Sequence, residues 1–295
     1  MPRSHPPTVL TLARRALVDE ARLPPATRLL VAVSGGIDSM VLLHVLSRLR
    51  ARFELTLFAE GVDHGLRAEA GGELDKAERF ATELGVPFGR SRVSLTPGGN
   101  LQARARSARY AALRARALEL GASLIATAHQ ADDRAETVLL RLLRGTSPRG
   151  LGVLPVLSGD LVRPLIRARR ADVEAHARRH QVPFSEDPSN RDTRFLRARV
   201  RHELLPLLAD LAPGIVGSLT SLADELAQLN LPPSAGAAPD VPPGFGLGRA
   251  QRRELSRMLA DPSAGARLRL PGGRELRVDP ATRRICVEES EGAPK

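Results

Sequence analysis

Along residues 28–144, short apolar runs alternate with longer segments of helical periodicity. The runs at 29–33, 55–62, 86–93 and 123–128 have strand length, and the first is apolar enough to be buried on both faces. Helical segments follow at roughly 38–50, 69–84, 103–120 and 131–144. This βαβα order predicts an α/β fold built on a doubly wound, Rossmann-like parallel sheet. Ligands of such sheets bind beyond the carboxyl ends of the strands. The polar segments SGGIDS, VDHGLR and AHQADD each follow a strand directly, so one crevice should collect all three.

After Pro155 the pattern changes. A short extended segment at 161–165 precedes a helix at about 169–181, the polar turn EDPSN and a helix at about 194–210. Pro213 and Gly214 punctuate the chain, which places a boundary near 212 and divides it into domains 1–212 and 213–295. In the second, 218–230 reads as a helix and 231–247 as a Pro/Gly-rich loop, with another helix near 249–260. The pairs Leu268/Leu270, Leu276/Val278 and Ile285/Val287 then alternate with polar residues, as in small antiparallel strands. A small helical and antiparallel C-terminal domain is therefore expected.

Composition narrows this picture only modestly. At 295 residues the chain exceeds one typical domain. No apolar run approaches membrane-spanning length and residues 1–25 lack the apolar centre of a secretion signal, so a cytoplasmic protein without membrane contact is expected. Cys286 alone excludes a disulfide framework and a multi-cysteine metal or iron–sulfur site. The net charge of +11 suits a polyanionic partner. Yet Lys76 and Lys295 are the only lysines, and Arg with abundant Ala, Gly and Pro equally fits a GC-rich genome.

The segment SGGIDS carries the clearest chemistry. Gly35 and Gly36 permit positive φ and close backbone approach, so N–H groups at the following helix start can point at an anion; Ser34 and Ser39 add hydroxyls. No Gly-Lys-Ser/Thr ending follows, which excludes an ordinary P-loop, and the spacing is not that of GxGxxG. Asp38 would repel a phosphate unless Mg2+ lay between them; the plainer reading is a charge favouring the helix dipole by about 0.5 kcal/mol. Asp133 and Glu136, beside Asp132, share one helix face and suit either Mg2+ or an ammonium group. His64 and His129 end strands at the crevice, where a hydrogen-bonding role and a ligand-facing role are both open.

SGGIDS resembles the PP-loop of ATP pyrophosphatases, enzymes that adenylate a substrate and release pyrophosphate. VDHGLR at 62–67, NLQARAR at 100–106 leading into Arg109 and Tyr110, and ATAHQADDRAET at 126–137 extend the likeness. LLRGTSPRGLG at 142–152, EDPSN at 186–190 and RARVRHELLP at 197–206 complete it. In this order, over about 28–210, they resemble the tRNA(Ile)-lysidine synthetase family. The resemblance implies ATP and Mg2+ as cofactors, with Ser34, Gly35, Gly36, Ile37, Asp38, Ser39, Asp63, His64 and His129 binding ATP. It implies Asp38 and Asp133 as metal ligands, and Asp38, Arg106, Asp133 and Glu136 as catalytic residues, with Arg109 also near the nucleotide. Arg149, Arg197, Arg201 and His202 are implied to contact tRNA.

The implied partners are L-lysine and a tRNA(Ile) with a CAU anticodon. The implied reaction replaces the oxygen on carbon 2 of the wobble cytidine by the ε-amine of lysine, after AMP transfer makes that oxygen a good leaving group. The chain departs from the family's RNxIRHE pattern at Ala198, which has no amide to hydrogen-bond, and this puts the local role of that motif in doubt. Another PP-loop tRNA modifier, such as a thiolase, is the alternative, although the thiolases resembling this fold use cysteine pairs. A binding module without catalysis is disfavoured, because carboxylates and histidines converge on the phosphate turn.

Overall fold

The strand Arg28–Val33 (β1) centres the sheet because its sequence, RLLVAV, supplies apolar groups to both faces. Leu29, Val31 and Val33 join one core, whereas Leu30 joins another on the opposite face. The computed structural model describes residues 7–63, 70–93, 101–185 and 196–229, and of the remainder 251, 254–255, 258, 267–270, 274–279 and 285–289.

β1 pairs in parallel with Thr56–Asp63 (β2) and Leu124–Ala126 (β4), and β2 pairs in parallel with Phe88–Arg92 (β3). Leu161–Val162 (β6) lies parallel to β4 and is edged by the antiparallel Leu157–Ser158 (β5). The spatial order is β3-β2-β1-β4-β6-β5. Chain direction across the sheet therefore reverses between β1 and β4, which opens a crevice at their carboxyl ends. The expected doubly wound sheet is present; the extended segment expected at 161–165 shortens to β6, after which the chain leaves the sheet through Pro164.

Val9–Arg15 (α1), Ile37–Leu49 (α2), Ala70–Glu83 (α3) and Arg170–Arg179 (α6) contribute to one core. Leu101–Glu119 (α4) covers the other face through Leu113 and Ala117. α2 is apolar nearly all round, with Met40, Val41, Leu42, Leu43, Val45 and Leu46 fully buried, as befits a helix enclosed between the sheet and α1 and α6. α1, with the π-helical turn Ala16–Glu20 that continues it, was not expected from the sequence, where its short length gives little periodic signal.

Ala131–Leu143 (α5) packs against Ile215–Gln228 (α9), and both share a cluster containing Ala135, Val138, Val216, Leu219 and Ala223. Asp224 of α9 accepts an ion pair from the fully buried Arg134 at 2.7 Å, and Arg167 also reaches it. The boundary expected near 212 falls in the turn between Leu205–Leu211 (α8) and α9, and α9 beyond it completes the core of α5. The helix expected at 194–210 is in fact three pieces: Leu196–Arg199 (α7), a π-helical turn Val200–Leu204, then α8. Arg267–Leu270 (β7), Arg274–Val278 (β8) and Ile285–Glu289 (β9) form the expected antiparallel sheet, with Leu268 opposite Leu276 and Leu276 opposite Val287. The EDPSN turn and the loop at 231–247 lie outside the described residues. Among the described residues no single helix is long and apolar enough to cross a membrane.

One packing detail sets a pH limit. His44 of α2 stacks on Phe80 and meets His176 of α6, Nδ1 to Nε2, at 2.9 Å, with the His180 ring 4.4 Å from that of His176. Burial first, then the charges of His180 and of Arg48 or Arg179, lowers both His44 and His176 to about 4. The unfolded chain takes up these protons near pH 6.5 and the native one only near 4, so stability is full above 6.5 and is lost as pH falls towards 4. The melting temperature should therefore drop between pH 7 and 5. His44→Phe, which keeps a ring against Phe80, should flatten that drop; an unchanged slope would remove the cluster as its cause.

Candidate active site

The crevice is a cavity of about 980 Å³. Its floor is the turn from β1 to α2. Gly35 has φ +82°, and a Cβ there would lie 2.8 Å from the Glu73 carbonyl, so both conformation and the approach of α3 demand glycine. Gly36 is different: its φ is −76° and an added Cβ would sit 3.7 Å from Ser34 Oγ, an ordinary contact. Among the described residues nothing lies close enough to require glycine at 36, so the position leaves room at the α2 N-terminus. Gly36→Ala should melt within about 2 °C of the parent yet bind ATP at least about tenfold more weakly in a calorimetric titration. Equal affinity would remove this turn from the nucleotide site.

The turn is tightly held. Ser39 Oγ donates to the Gly36 carbonyl at 2.9 Å and accepts from Ser34 N–H at 3.1 Å. Ser185 N–H donates to the Gly35 carbonyl at 2.9 Å, and Lys76 Nζ fixes the neighbouring Phe184 carbonyl at 3.0 Å. Asp38 enters the cavity from the first turn of α2 and accepts from the buried Gln130 Nε2 at 3.1 Å. Burial, then the nearby Asp133 charge, pushes the Asp38 carboxyl up to about 6, against the opposing pull of Arg170 and Arg201. Among the described residues no group of three acids, His or Cys could hold a metal by itself, so the half-buried Asp38, raised by a second acid, would hold Mg2+ only as one ligand among others.

The opposite wall follows β4. Thr127 Oγ1 and His129 Nδ1 are 2.9 Å apart, and burial, reinforced by Arg106, Arg163 and Arg197, lowers His129 to about 4 and keeps its ring neutral. Asp132 does not face the cavity; it caps α6 by accepting from Arg170 N–H at 2.8 Å and from the Arg169 guanidinium at 3.1 Å. Asp133 Oδ2 closes the capping box of α5 on Gln130 N–H at 3.1 Å, while its Oδ1 accepts from Arg197 and Arg201 at 3.3 and 3.1 Å. Glu136, with no exposed surface, accepts from Arg197 Nε at 3.1 Å and Arg201 Nη2 at 2.8 Å.

Several expected residues thus meet, though not always as their roles would suggest. Ser34, Gly36, Ile37, Asp38, Ser39, Asp63 and His129 line the cavity, and Gly35 shapes its floor. His64 lies outside the described residues. Arg106 lies against Tyr110, donating to its hydroxyl at 3.3 Å, while Arg109 lines the cavity itself. Arg197 of α7 and Arg201 of the π-helical turn, expected at tRNA, are paired with Asp133 and Glu136; Arg201 and His202 line the cavity, whereas Asp133 and Glu136 lie behind it. Arg149 is exposed on the turn Pro148–Leu151, away from the cavity. The glycines flanking it are packing devices: a Cβ on Gly150 would collide with Thr146 Oγ1, and one on Gly152 would sit 2.9 Å from Ala227 Cα of α9.

Sequence reasoning missed Gln130, and also Arg170 and Glu174, which α6 brings to the cavity. Gln130 carried a signal as the residue opening a helix three positions before Asp133. The α6 residues carried none, because their place depends on how the chain returns after β6.

A sheet reversing at this crevice, with a Ser/Gly turn, a half-buried acid on the following helix and no P-loop lysine, defines a PP-loop nucleotide-binding protein. The sequence pattern of the PP-loop domain family matches residues 10–208, and the chain belongs to that family. It is 41% identical over 216 residues to the tRNA(Ile)-lysidine synthase of Pseudomonas fluorescens, covering 68% of this chain and 48% of that protein. It is 38% identical over 286 residues to the tRNA(Ile)-lysidine synthase of Ralstonia nicotianae, covering 90% and 60%. The chain thus spans about half the length of the first of these curated relatives. Among solved structures, the U34-tRNA thiolase NcsA of Methanococcus maripaludis shares the fold, with a TM-score of 0.63 at 18% identity over 75% of this chain and 79% of that one.

Proposed function

We propose that this protein joins L-lysine to carbon 2 of the wobble cytidine of a tRNA(Ile) bearing a CAU anticodon, through an adenylated tRNA intermediate. The observation that carries the reading is the meeting, in one cavity, of an anion-binding turn and Asp38 with Arg201, behind which lies a separate carboxylate pair, Asp133 and Glu136. The names of the relatives support it. The two halves of the reaction need these two groups: one to hold the triphosphate, the other to receive a cationic amine.

In this reading the α2 N-terminus, Ser34 and Ser39 hold the β- and γ-phosphates of ATP. Asp38 would hold Mg2+, which supplies charge neutralisation of the phosphates. Neutral His129 and Arg109 lie where the nucleotide passes β4 and α4. Asp133 and Glu136 receive the lysine ammonium; their oxygens already carry guanidinium groups, so the incoming amine exchanges with Arg197 or Arg201. Arg149, Arg197 and His202, at the cavity rim or beyond it, offer contacts for tRNA, together with the C-terminal residues 213–295.

A thiolase reading meets a chemical obstacle, since the chain's one cysteine, Cys286, lies on β9 of the small sheet. Product analysis tests the proposal. With tRNA and Mg2+ present, ATP should yield AMP and pyrophosphate in a tRNA-dependent manner; ADP and phosphate as the stoichiometric products would refute it.

A further inference from the structure

Arg170 is the first residue of α6, and its backbone is pinned because its N–H donates to Asp132 Oδ2 at 2.8 Å. This fixes the side chain against the wall of the cavity that holds Gly36, Asp38 and Ser39. Arg170 Nη2 has no accessible surface and no hydrogen-bond partner and faces Glu136 Oε1 at 3.7 Å, while the side chain as a whole is 35% exposed. Glu136 is already served by Arg197 and Arg201. Of the other arginines lining the cavity, Arg201 is committed to Asp133 and Glu136. The accessible part of the Arg170 side chain thus belongs to the cavity lining, beside the turn and Asp38.

We propose that Arg170 is a direct ligand of the departing pyrophosphate, supplying from α6 the cation that the SGGIDS turn lacks. The inference rests on the reading that this cavity binds ATP, and deepens it. In the step concerned, the carbon-2 oxygen of cytidine bonds to the α-phosphorus, the bond from that phosphorus to its bridging oxygen breaks, and the electron pair leaves on pyrophosphate. A guanidinium donates to such an anion through two parallel N–H groups, which suits a group whose charge grows as the bond breaks. Asp38 lies within the field of Arg170, so the phosphate turn, the acid and the arginine form one charge-balanced set.

Calorimetric titration of the intact protein with pyrophosphate in excess Mg2+, and separately with AMP, tests this. Arg170→Gln should bind pyrophosphate about 10- to 100-fold more weakly while AMP affinity stays at the parental value. Parental affinity of Arg170→Gln for pyrophosphate would overturn the proposal and leave the ATP-site reading intact. No pyrophosphate binding by the parent protein would overturn that reading and this proposal with it. Should Arg170→Gln fail to fold, Arg170→Lys decides, because one ammonium replaces a two-pronged donor: a several-fold loss supports the contact and parental affinity refutes it.

Discussion

Asp38→Asn should abolish AMP transfer to tRNA while making the ligand-free protein more stable at pH 7.5. Both effects come from one cause. In the native protein the Asp38 carboxyl is raised from 3.8 to about 6 by burial and by Asp133, so its ionisation opposes folding. The native state holds this proton to higher pH than the unfolded chain does; stability from Asp38 is therefore present below 3.8 and lost as pH rises through about 6. Asparagine keeps an oxygen for Gln130 Nε2 and carries no charge, which removes that penalty but also removes the ligand proposed for Mg2+. Melting scans across pH 4 to 8 should show the two proteins alike at the acid end and the variant higher at neutral pH. A variant that transfers AMP at the parental rate would remove Asp38 from the site.

Glu136→Gln should separate the two half-reactions. Adenylated tRNA should still form, since Glu136 belongs to α5 and is held by Arg197 and Arg201 rather than by the phosphate turn. Conversion to lysidine should fall, or need far more lysine: loss of one charge-assisted contact, about 1.5–3 kcal/mol, corresponds to roughly 10- to 150-fold. AMP transfer to labelled tRNA, measured without lysine, isolates the first step. If Glu136→Gln blocks that step as completely as Asp38→Asn does, the carboxylate pair serves Mg2+ and not the amine.

The parallel sheet was legible because β1 and α2 are apolar on every face they bury, and because the polar turns fall at strand ends. The same regularity predicts that Ser34, Gly36, Asp38, Ser39 and His129 share one crevice, and they line one cavity. What was not legible depends on long-range return of the chain. Arg170 reaches the cavity only because α6 packs back over α2, and α9 completes the core of α5 although it follows a Pro-Gly break. The pairing of Arg197 and Arg201 with Glu136 was hidden for another reason: with 44 Lys and Arg residues in the chain, the presence of arginine says little about which one meets a buried acid. The π-helical turn Val200–Leu204 that brings Arg201 there has no compositional mark.

The central claim is tested most directly by incubating unmodified tRNA(Ile) with the protein, ATP, Mg2+ and L-lysine, digesting the RNA and analysing its nucleosides by mass spectrometry. The account predicts that the wobble cytidine is replaced by lysidine, only when both ATP and lysine are present. An unchanged cytidine with intact, folded protein, or a sulfur-containing nucleoside in its place, would contradict it.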